Sequence, residues 1–337
     1  MDIQLFDRIE KIKSINEQYD LENNSYISFS GGKDSTILHY LIDMALPNNM
    51  IPRVFINTGI EYSDIVNFVK ELASKDNRFV IIKPTKNIKQ TLDEYGYPFK
   101  SKQHSHNVAI YQRNKESINQ YLGEDFNVYK TPNIYFNLPR GNKSVVKYVK
   151  GFRVNGLGEI YDAPKFSCPK ILKYQFNNSF NLKLSDKCCY KLKKEPISVW
   201  QKNNNKTITI TGMRKDEGGN RTNLSCIISD KNQNTLKFHP LSVVSDEWCN
   251  WFIKEHNINL CKLYYPPYNF NRTGCKGCPF SLKLQQQLDT MEIYLPQEKE
   301  QCERIWKPVY DEYRRIGFRL RKNTEQKQTN IFEFLGE

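Results

Sequence analysis

Between residues 25 and 84, short apolar runs alternate with amphipathic stretches, and this alternation constrains the fold more than any other feature of the chain. "YISF" (26–29), "RVFINTG" (53–59) and "RFVIIKP" (78–84) read as strands, too short for helices and apolar enough to be buried. "DSTILHYLIDMA" (34–45), which ends before Pro47, and "YSDIVNFVKELASK" (62–75) read as the intervening helices, with Ser63 or Asp64 capping the second. Strands joined through helices pair in parallel, and the helices then cover the faces of the sheet. The expected fold class is α/β: an open, mostly parallel sheet flanked by helices.

The rest of the chain is less regular. Residues 3–17 read as a helix with Ile3, Phe6, Ile9 and Ile12 on one side. After Lys86, two helices broken at Gly96–Pro98 are expected, then an irregular insertion with some strand over about 123–187, rich in Gly, Asn, Pro and aromatics. "TITITGMR" (207–214) reads as a strand running into a turn, and "VSDEWCNWFIKEHNI" (244–258) as a helix capped by Ser245 or Asp246. Residues 281–323 read as mostly helical and "NTEQKQTN" as flexible. The expected division is a ligand-binding domain over 1–240 that contains the insertion, and a helical C-terminal subdomain over 241–337.

Composition narrows the function classes. In 337 residues, 39% hydrophobic and 13% aromatic content suffices for a sizeable core. No apolar run reaches the ~18 residues of a membrane span, so no membrane partner is expected. "MDIQLFDRIEKIKSI" is a charged amphipathic start rather than a secretory signal, which predicts a cytoplasmic protein. Nine cysteines in that setting point to buried thiols, ligands or nucleophiles and not to a disulfide framework. A net charge of +13 favours polyanionic partners: nucleic acid, nucleotides or sulfated metabolites.

"SYISFSGGKDSTILHYLI" (25–42) places Gly31 and Gly32 between a strand and a helix. In an open α/β sheet that junction lies at the carboxyl end of the strands, where ligands bind. Glycines allow positive φ and close backbone approach. Helix-start amides attract an anion, Lys33 adds a cation, and Ser30, Ser35 and Thr36 add hydroxyls. Together they form a cradle for phosphate or pyrophosphate. The spacing fits neither Gly-x-x-x-x-Gly-Lys-Ser/Thr nor Gly-x-Gly-x-x-Gly.

"SGGKDS" (30–35) instead resembles the PP-loop of the adenine nucleotide alpha hydrolase superfamily, which includes ATP pyrophosphatases and sulfonucleotide reductases. "INTGIEYSD" (56–64), "ITGMRKDEGGNR" (210–221) and "FHPLSVVSDEWCNWF" (238–252) are similar to segments of its phosphoadenylyl-sulfate (PAPS) reductase family. The resemblance implies an adenine nucleotide, ATP or a sulfonucleotide, held by Ser30, Gly31, Gly32, Lys33, Asp34, Ser35, Thr58, Gly59, Glu61 and Arg221, with Mg²⁺ and with Lys33, Asp34 and Arg214 as catalytic positions. Guanidinium groups such as Arg214 and Arg221, both after a strand end, suit phosphate or sulfate on their own chemistry.

Cys188 and Cys189 are adjacent, and Cys275 and Cys278 form the hook "GCKGCP". Two such pairs suit zinc or an iron–sulfur cluster, although adjacent cysteines fit tetrahedral zinc poorly. The pattern resembles the 4Fe–4S motif of the iron–sulfur branch of assimilatory sulfonucleotide reductases, and Lys191, Lys193 and Lys194 would offset the charge of such a cluster. Cys249 and Cys261 read as core, while "HSH" (104–106) lacks a third ligand nearby. The family's reductases use a cysteine in a C-terminal Glu-Cys-Gly-x-His-like tail; here no cysteine follows Cys302, which leaves Cys302 or Cys168 as stand-ins.

Three functions follow as expectations. The first is an ATP pyrophosphatase that adenylates a nucleic acid or other acceptor for sulfur transfer, with a sulfur donor or thiol reductant as a further partner. The second is a sulfonucleotide reductase that forms sulfite, and the third a non-enzymatic nucleotide-sensing subunit. A homo-oligomer is compatible with each.

Overall fold

The computed structural model describes residues 2–218, 221–229 and 236–322; the tail stretch 323–330, expected to be flexible, lies outside them. The chain forms two compact units, Met1–Asn87 with Lys191–Lys276 and Ile88–Tyr190 with Gly277–Glu337. They interleave along the chain, whereas the sequence reading divides it once, at 240. Among the described residues no helix is long and apolar enough to cross a membrane.

Among the described residues there are eight strands: β1 (Ser25–Ser28), β2 (Arg53–Ile56), β3 (Phe79–Ile82), β4 (Phe152–Val154), β5 (Ile160–Asp162), β6 (Ile208–Ile210), β7 (Ile227–Ser229) and β8 (Leu236–Phe238). In the first unit, six of them form one sheet in the order β3-β2-β1-β6-β8-β7. Every pairing is parallel except that of β7 with β8. The expected α/β sheet is present. From β1 the chain builds outward through β2 and β3, then returns to lay β6 on the other side of β1. That reversal makes the carboxyl end of β1 a topological switch point, where a crevice opens between diverging connections.

Burial fixes the sheet's register. Ile27, Ile210 and Phe238 are buried, and the helix Lys33–Ala45 packs Ile37, Leu38, Leu41 and Ile42 into the same core. The N-terminal helix runs Ile3–Tyr19, capped by Asp2, whose carboxylate accepts from Leu5 N–H. Its inward face is Leu5, Ile12 and Ile15 with Arg8; of the residues read as one side, Ile3 and Phe6 are exposed and Ile12 is buried. The helix Ser63–Lys75 has Tyr62 as its N-cap without a side-chain bond, so neither Ser63 nor Asp64 caps it. Ser245 caps Asp246–Glu255 by accepting from Trp248 N–H, as its position predicts.

In the second unit, helices Ile88–Tyr95 and Lys102–Arg113 are separated at Gly96–Pro98. Gly96 sits at φ +99°, and a Cβ there would lie 2.7 Å from the Lys183 carbonyl oxygen. Only glycine lets this turn approach the backbone with which Tyr97 exchanges hydrogen bonds: Tyr97 N to Lys183 O and Ser185 N to Tyr97 O, both 2.8 Å. The stretch expected to be irregular with some strand holds the β4–β5 hairpin but also an eleven-residue helix, Arg140–Lys150. Its buried face, Val145, Val146, Tyr148 and Val149, is β-branched or aromatic, so helix propensity masks a periodicity that packing against Lys102–Arg113 enforces. His104 is buried, its ring bonded to Tyr148 Oη (3.0 Å) and Gln175 Oε1 (2.7 Å), which makes it a satisfied core histidine. Helices Leu284–Tyr294 and Pro296–Ile316 complete the unit, burying Trp306, Val309, Tyr310 and Tyr313.

Candidate functional site

The loop from β1 to Lys33–Ala45 is tied down before any ligand arrives. Gly31 sits at φ +71°, and a Cβ on it would come 2.8 Å from Ile65 Cγ2 and 3.0 Å from Val69 Cγ2. Conformation and space both demand glycine there. The Ser35 hydroxyl takes a bond from Ser30 N–H (3.2 Å), pairs with the Ser30 hydroxyl (3.0 Å) and donates to Gly32 O (2.9 Å). Thr36 Oγ1 also donates to Gly32 O, at 3.0 Å. Ser35 and Thr36, expected to face a phosphate, thus use their hydroxyls to hold the loop's shape. Gly32 N–H donates to Ser30 Oγ (3.3 Å), so the candidate anion seat is made of the other backbone N–H groups at the helix start, with the Lys33 side chain beside it. Tyr264 stands over that seat: its hydroxyl is 2.6 Å from Thr273 Oγ1 and accepts from Lys33 N–H.

The three expected catalytic positions meet in one ion-pair net. Arg214, at the end of β6, is buried. Its Nε donates to Asp34 Oδ1 (2.9 Å) and its Nη2 to Asp246 Oδ1 (2.6 Å), while Asp216 lies 3.6 Å from Nη1. Lys33 Nζ reaches the same Asp246 oxygen at 3.2 Å. Burial pushes the Asp34 carboxyl above the usual range and Arg214 opposes the rise. Asp246, held by Arg214 and Lys33, sits below it despite its desolvation. Gly212 permits this arrangement, since a Cβ there would lie 2.7 Å from Asp34 O. Arg221 does not join Arg214: it pairs with Glu217, whose other oxygen meets Arg272 Nη2 at 2.6 Å.

The turn after β2 supplies the other expected positions. Gly59 takes φ +81°, and the buried Glu61 carboxylate accepts from Thr58 N–H and Thr58 Oγ1, each at 2.8 Å. Lys193 Nζ is 3.6 Å from Glu61. Between the ends of β1 and β2 lies a cavity of about 240 Å³ with an apolar wall of Phe29, Val54, Phe55, Ile65 and Ile197. Ser30, Glu61, Lys193 and Thr273 give it polar corners. An apolar cavity with a few convergent polar groups beside a helix start has the general chemistry of a small-molecule site.

The cysteines divide. Cys249 and Cys261 are buried core, as expected. Cys168 is buried and its thiol pushed up to about 12, chiefly by desolvation, so it holds no thiolate at neutral pH. Cys302 is fully buried. Cys188 and Cys189 open a helical stretch that is π-helical over Tyr190–Lys194. The turn before Cys278 needs glycine at 277 (φ +58°), where a Cβ would lie 2.7 Å from Cys302 Sγ. Among the described residues no three His, Cys, Asp or Glu side chains converge as a metal site.

Several site residues carried too weak a signal to be singled out. Tyr264, Thr273 and Arg272 stand in an irregular stretch. Asp216 and Glu217 follow Arg214 after one lysine and look like a solvated turn. Asp246 reads only as a helix cap.

A family model described as phosphoadenosine phosphosulfate reductase domain matches residues 24–126 and 160–281, more than half of the chain. Uncharacterized protein MJ0973 of Methanocaldococcus jannaschii is 32% identical over 124 residues, which cover 34% of this chain but only 30% of that relative. Among solved structures, PAPS reductase from Candida auris in a phosphate complex aligns at 12% identity and TM-score 0.42, covering 82% of this chain and 96% of its own. Candida glabrata FMN adenylyltransferase in complex with ATP aligns at 13% and 0.41, covering 81% and 61%. U34-tRNA thiolase NcsA from Methanococcus maripaludis with its 4Fe–4S cluster aligns at 15% and 0.30, covering 90% and 79%. The matched segments contain the glycine loop, the Thr58–Glu61 turn and Arg214, and the chain belongs to the phosphoadenosine phosphosulfate (PAPS) reductase domain family.

Proposed function

We propose that this chain binds ATP at the Ser30–Ser35 loop and splits it between the α and β phosphates, adenylating an acceptor, a nucleic acid in our reading, that then receives sulfur. The observation that carries the reading is the junction itself. A glycine-tied anion seat adjoins an apolar slot of base-accepting size at the switch point of the sheet. The chain's own residues would bind and orient. Backbone N–H groups and Lys33 hold the phosphates, while Glu61 and Lys193 flank the base slot. Arg214 fixes the helix start by clamping Asp34. Such chemistry needs positioning and charge neutralisation rather than a protein nucleophile. Mg²⁺ would neutralise charge on the phosphates it arrives with; no step is assigned to a protein-held ion.

Sulfonucleotide reduction is the competing reading, and it needs a thiolate at the substrate sulfur. Burial of Cys168 and Cys302 supports the pyrophosphatase instead. The test runs two assays on one anaerobic preparation: pyrophosphate release from ATP and Mg²⁺, and sulfite release from adenylyl sulfate with a thiol reductant. Pyrophosphate without sulfite is expected. Brisk sulfite formation that is lost in Cys302→Ser or Cys168→Ser overturns the proposal.

A further inference from the structure

The segment 127–159 falls between the two stretches that the family model matches. It carries six Lys or Arg residues against a single carboxylate, Glu159. It holds the Arg140–Lys150 helix and leads into the β4–β5 ribbon, in which Phe152 pairs with Asp162, Arg153 with Tyr161 and Val154 with Ile160. Side chains of a ribbon alternate between its faces. Phe152 faces inward, buried against Tyr135 with ring centroids 4.9 Å apart. Arg153 and Tyr161, directly opposite one another, therefore share the other face. The Arg153 guanidinium carbon lies 3.8 Å from the centre of the Phe166 ring. Tyr161 is 47% exposed and Phe166 55%. The nearby carboxylates are engaged elsewhere: Glu159 accepts from Asn155 Nδ2 (2.7 Å) and Asp162 from the Tyr129 hydroxyl.

We propose that this Tyr161–Arg153–Phe166 face is a docking platform for single-stranded nucleic acid. Two exposed rings flank a guanidinium on a strongly basic element. Rings of this kind stack bases, whatever their sequence, while cations follow the backbone. An acidic peptide would meet the charge but offer no flat faces to the rings, and an apolar partner would meet the rings but leave the cations desolvated. The platform rests on the reading of a nucleic acid as acceptor, and it names the surface that would receive it.

The test is fluorescence anisotropy of the full chain with 5′-labelled 20-nucleotide oligo(dT) and oligo(U) at low salt. Tyr161→Ala or Phe166→Ala should each weaken binding at least about fivefold, the scale of one lost stacking contact. The Tyr161→Leu/Phe166→Leu variant keeps apolar bulk but removes both π faces. It should weaken binding more than tenfold, with circular dichroism and ATP-dependent pyrophosphate release unchanged. A duplex of the same length should bind worse than the single strand. Undetectable binding by the wild type, or equal affinity in the double leucine variant, overturns the proposal. So does loss of phosphatidylserine vesicle binding in that variant while oligonucleotide binding survives. Absent pyrophosphate release with intact oligonucleotide binding would instead remove the functional reading and leave the platform.

Discussion

Arg214→Met isolates what the buried guanidinium does. Removing one partner of a fully buried ion pair costs about 3–5 kcal/mol, because the other charge stays behind unpaired. Here the carboxylates differ: Asp216 and Asp246 are 46% and 56% exposed and rehydrate, whereas the Asp34 side chain is only 26% exposed. The stranded group is therefore Asp34, and its partial exposure brings the expected loss to about 2–3 kcal/mol at pH 7.5. The pH dependence has a definite sign. Burial already raises the folded Asp34 carboxyl above its unfolded value, with Arg214 opposing; without Arg214 it rises further. A carboxyl raised on folding destabilises the protein at pH above its folded pKa, and the penalty fades as pH falls toward the unfolded value near 4. Urea unfolding of wild type, Arg214→Met, Asp34→Asn and the double variant at pH 7.5 and pH 5 measures this directly. Each comparison is made at one pH, so other titrating groups cancel. The double variant should recover at least about 1 kcal/mol relative to additivity at pH 7.5, and less at pH 5. Additivity within about 0.5 kcal/mol, or an Arg214→Met protein as stable as wild type, refutes the clamp.

Lys33→Ala should weaken ATP binding, read by calorimetry, by about 1–3 kcal/mol for one lost charge-assisted contact, with the fold intact. Gly31→Ala should lower stability by more than about 1–2 kcal/mol, since it adds contact with Ile65 and Val69 to the left-handed strain. The pKa values of His39 and His104 are depressed to about 4, chiefly by burial. Their contribution is complete above the unfolded value near 6.5 and is lost as pH falls toward 4. At pH 5 each should cost about 2 kcal/mol, and His104→Gln should flatten the fall in unfolding temperature between pH 7 and pH 5. Protein purified without oxygen should be brown with about four irons, lost in Cys189→Ser or Cys278→Ser. A colourless protein that holds one zinc rejects the cluster.

Much of the first unit was legible because its elements obey local rules. β1, β2 and β3 are apolar runs bounded by turn residues, and the helices between them carry the right period. The departures are local as well. Ile3, Phe6, Ile9 and Ile12 recur in steps of three, which drift by about 60° per step on a 3.6-residue helix, so Ile3 lies opposite Ile12. The stripe that keeps helical phase is Leu5, Arg8, Ile12 and Ile15, and it is the buried one, with Arg8 Nη1 reaching Pro240 O at 3.3 Å. The helix Arg140–Lys150 went unread because Val145, Val146 and Val149 favour strands, and only tertiary packing overrides that preference.

The site divides along the same line. Gly31, Gly32 and Lys33 were legible because backbone geometry and helix-start chemistry are encoded within six residues. The pairings that decide what Lys33 and Asp34 do were not. Asp246 reaches Lys33 from 213 positions away, and Arg214 reaches Asp34 from 180. Asp246, read alone, is only a helix cap, and Arg214, though singled out for phosphate, carries no local sign that Asp34 is its partner. Their meaning arises when the switch point brings the end of β6 beside the start of the Lys33 helix, with Gly212 clearing the space. Ser35 shows the converse. Its identity suggests a phosphate ligand, but its hydroxyl is fully employed inside the loop, accepting from Ser30 and donating to Gly32. A serine that shapes an anion seat and a serine that lines one are indistinguishable in sequence. Ser35→Ala should therefore unsettle the loop, and Lys33→Ala only the charge.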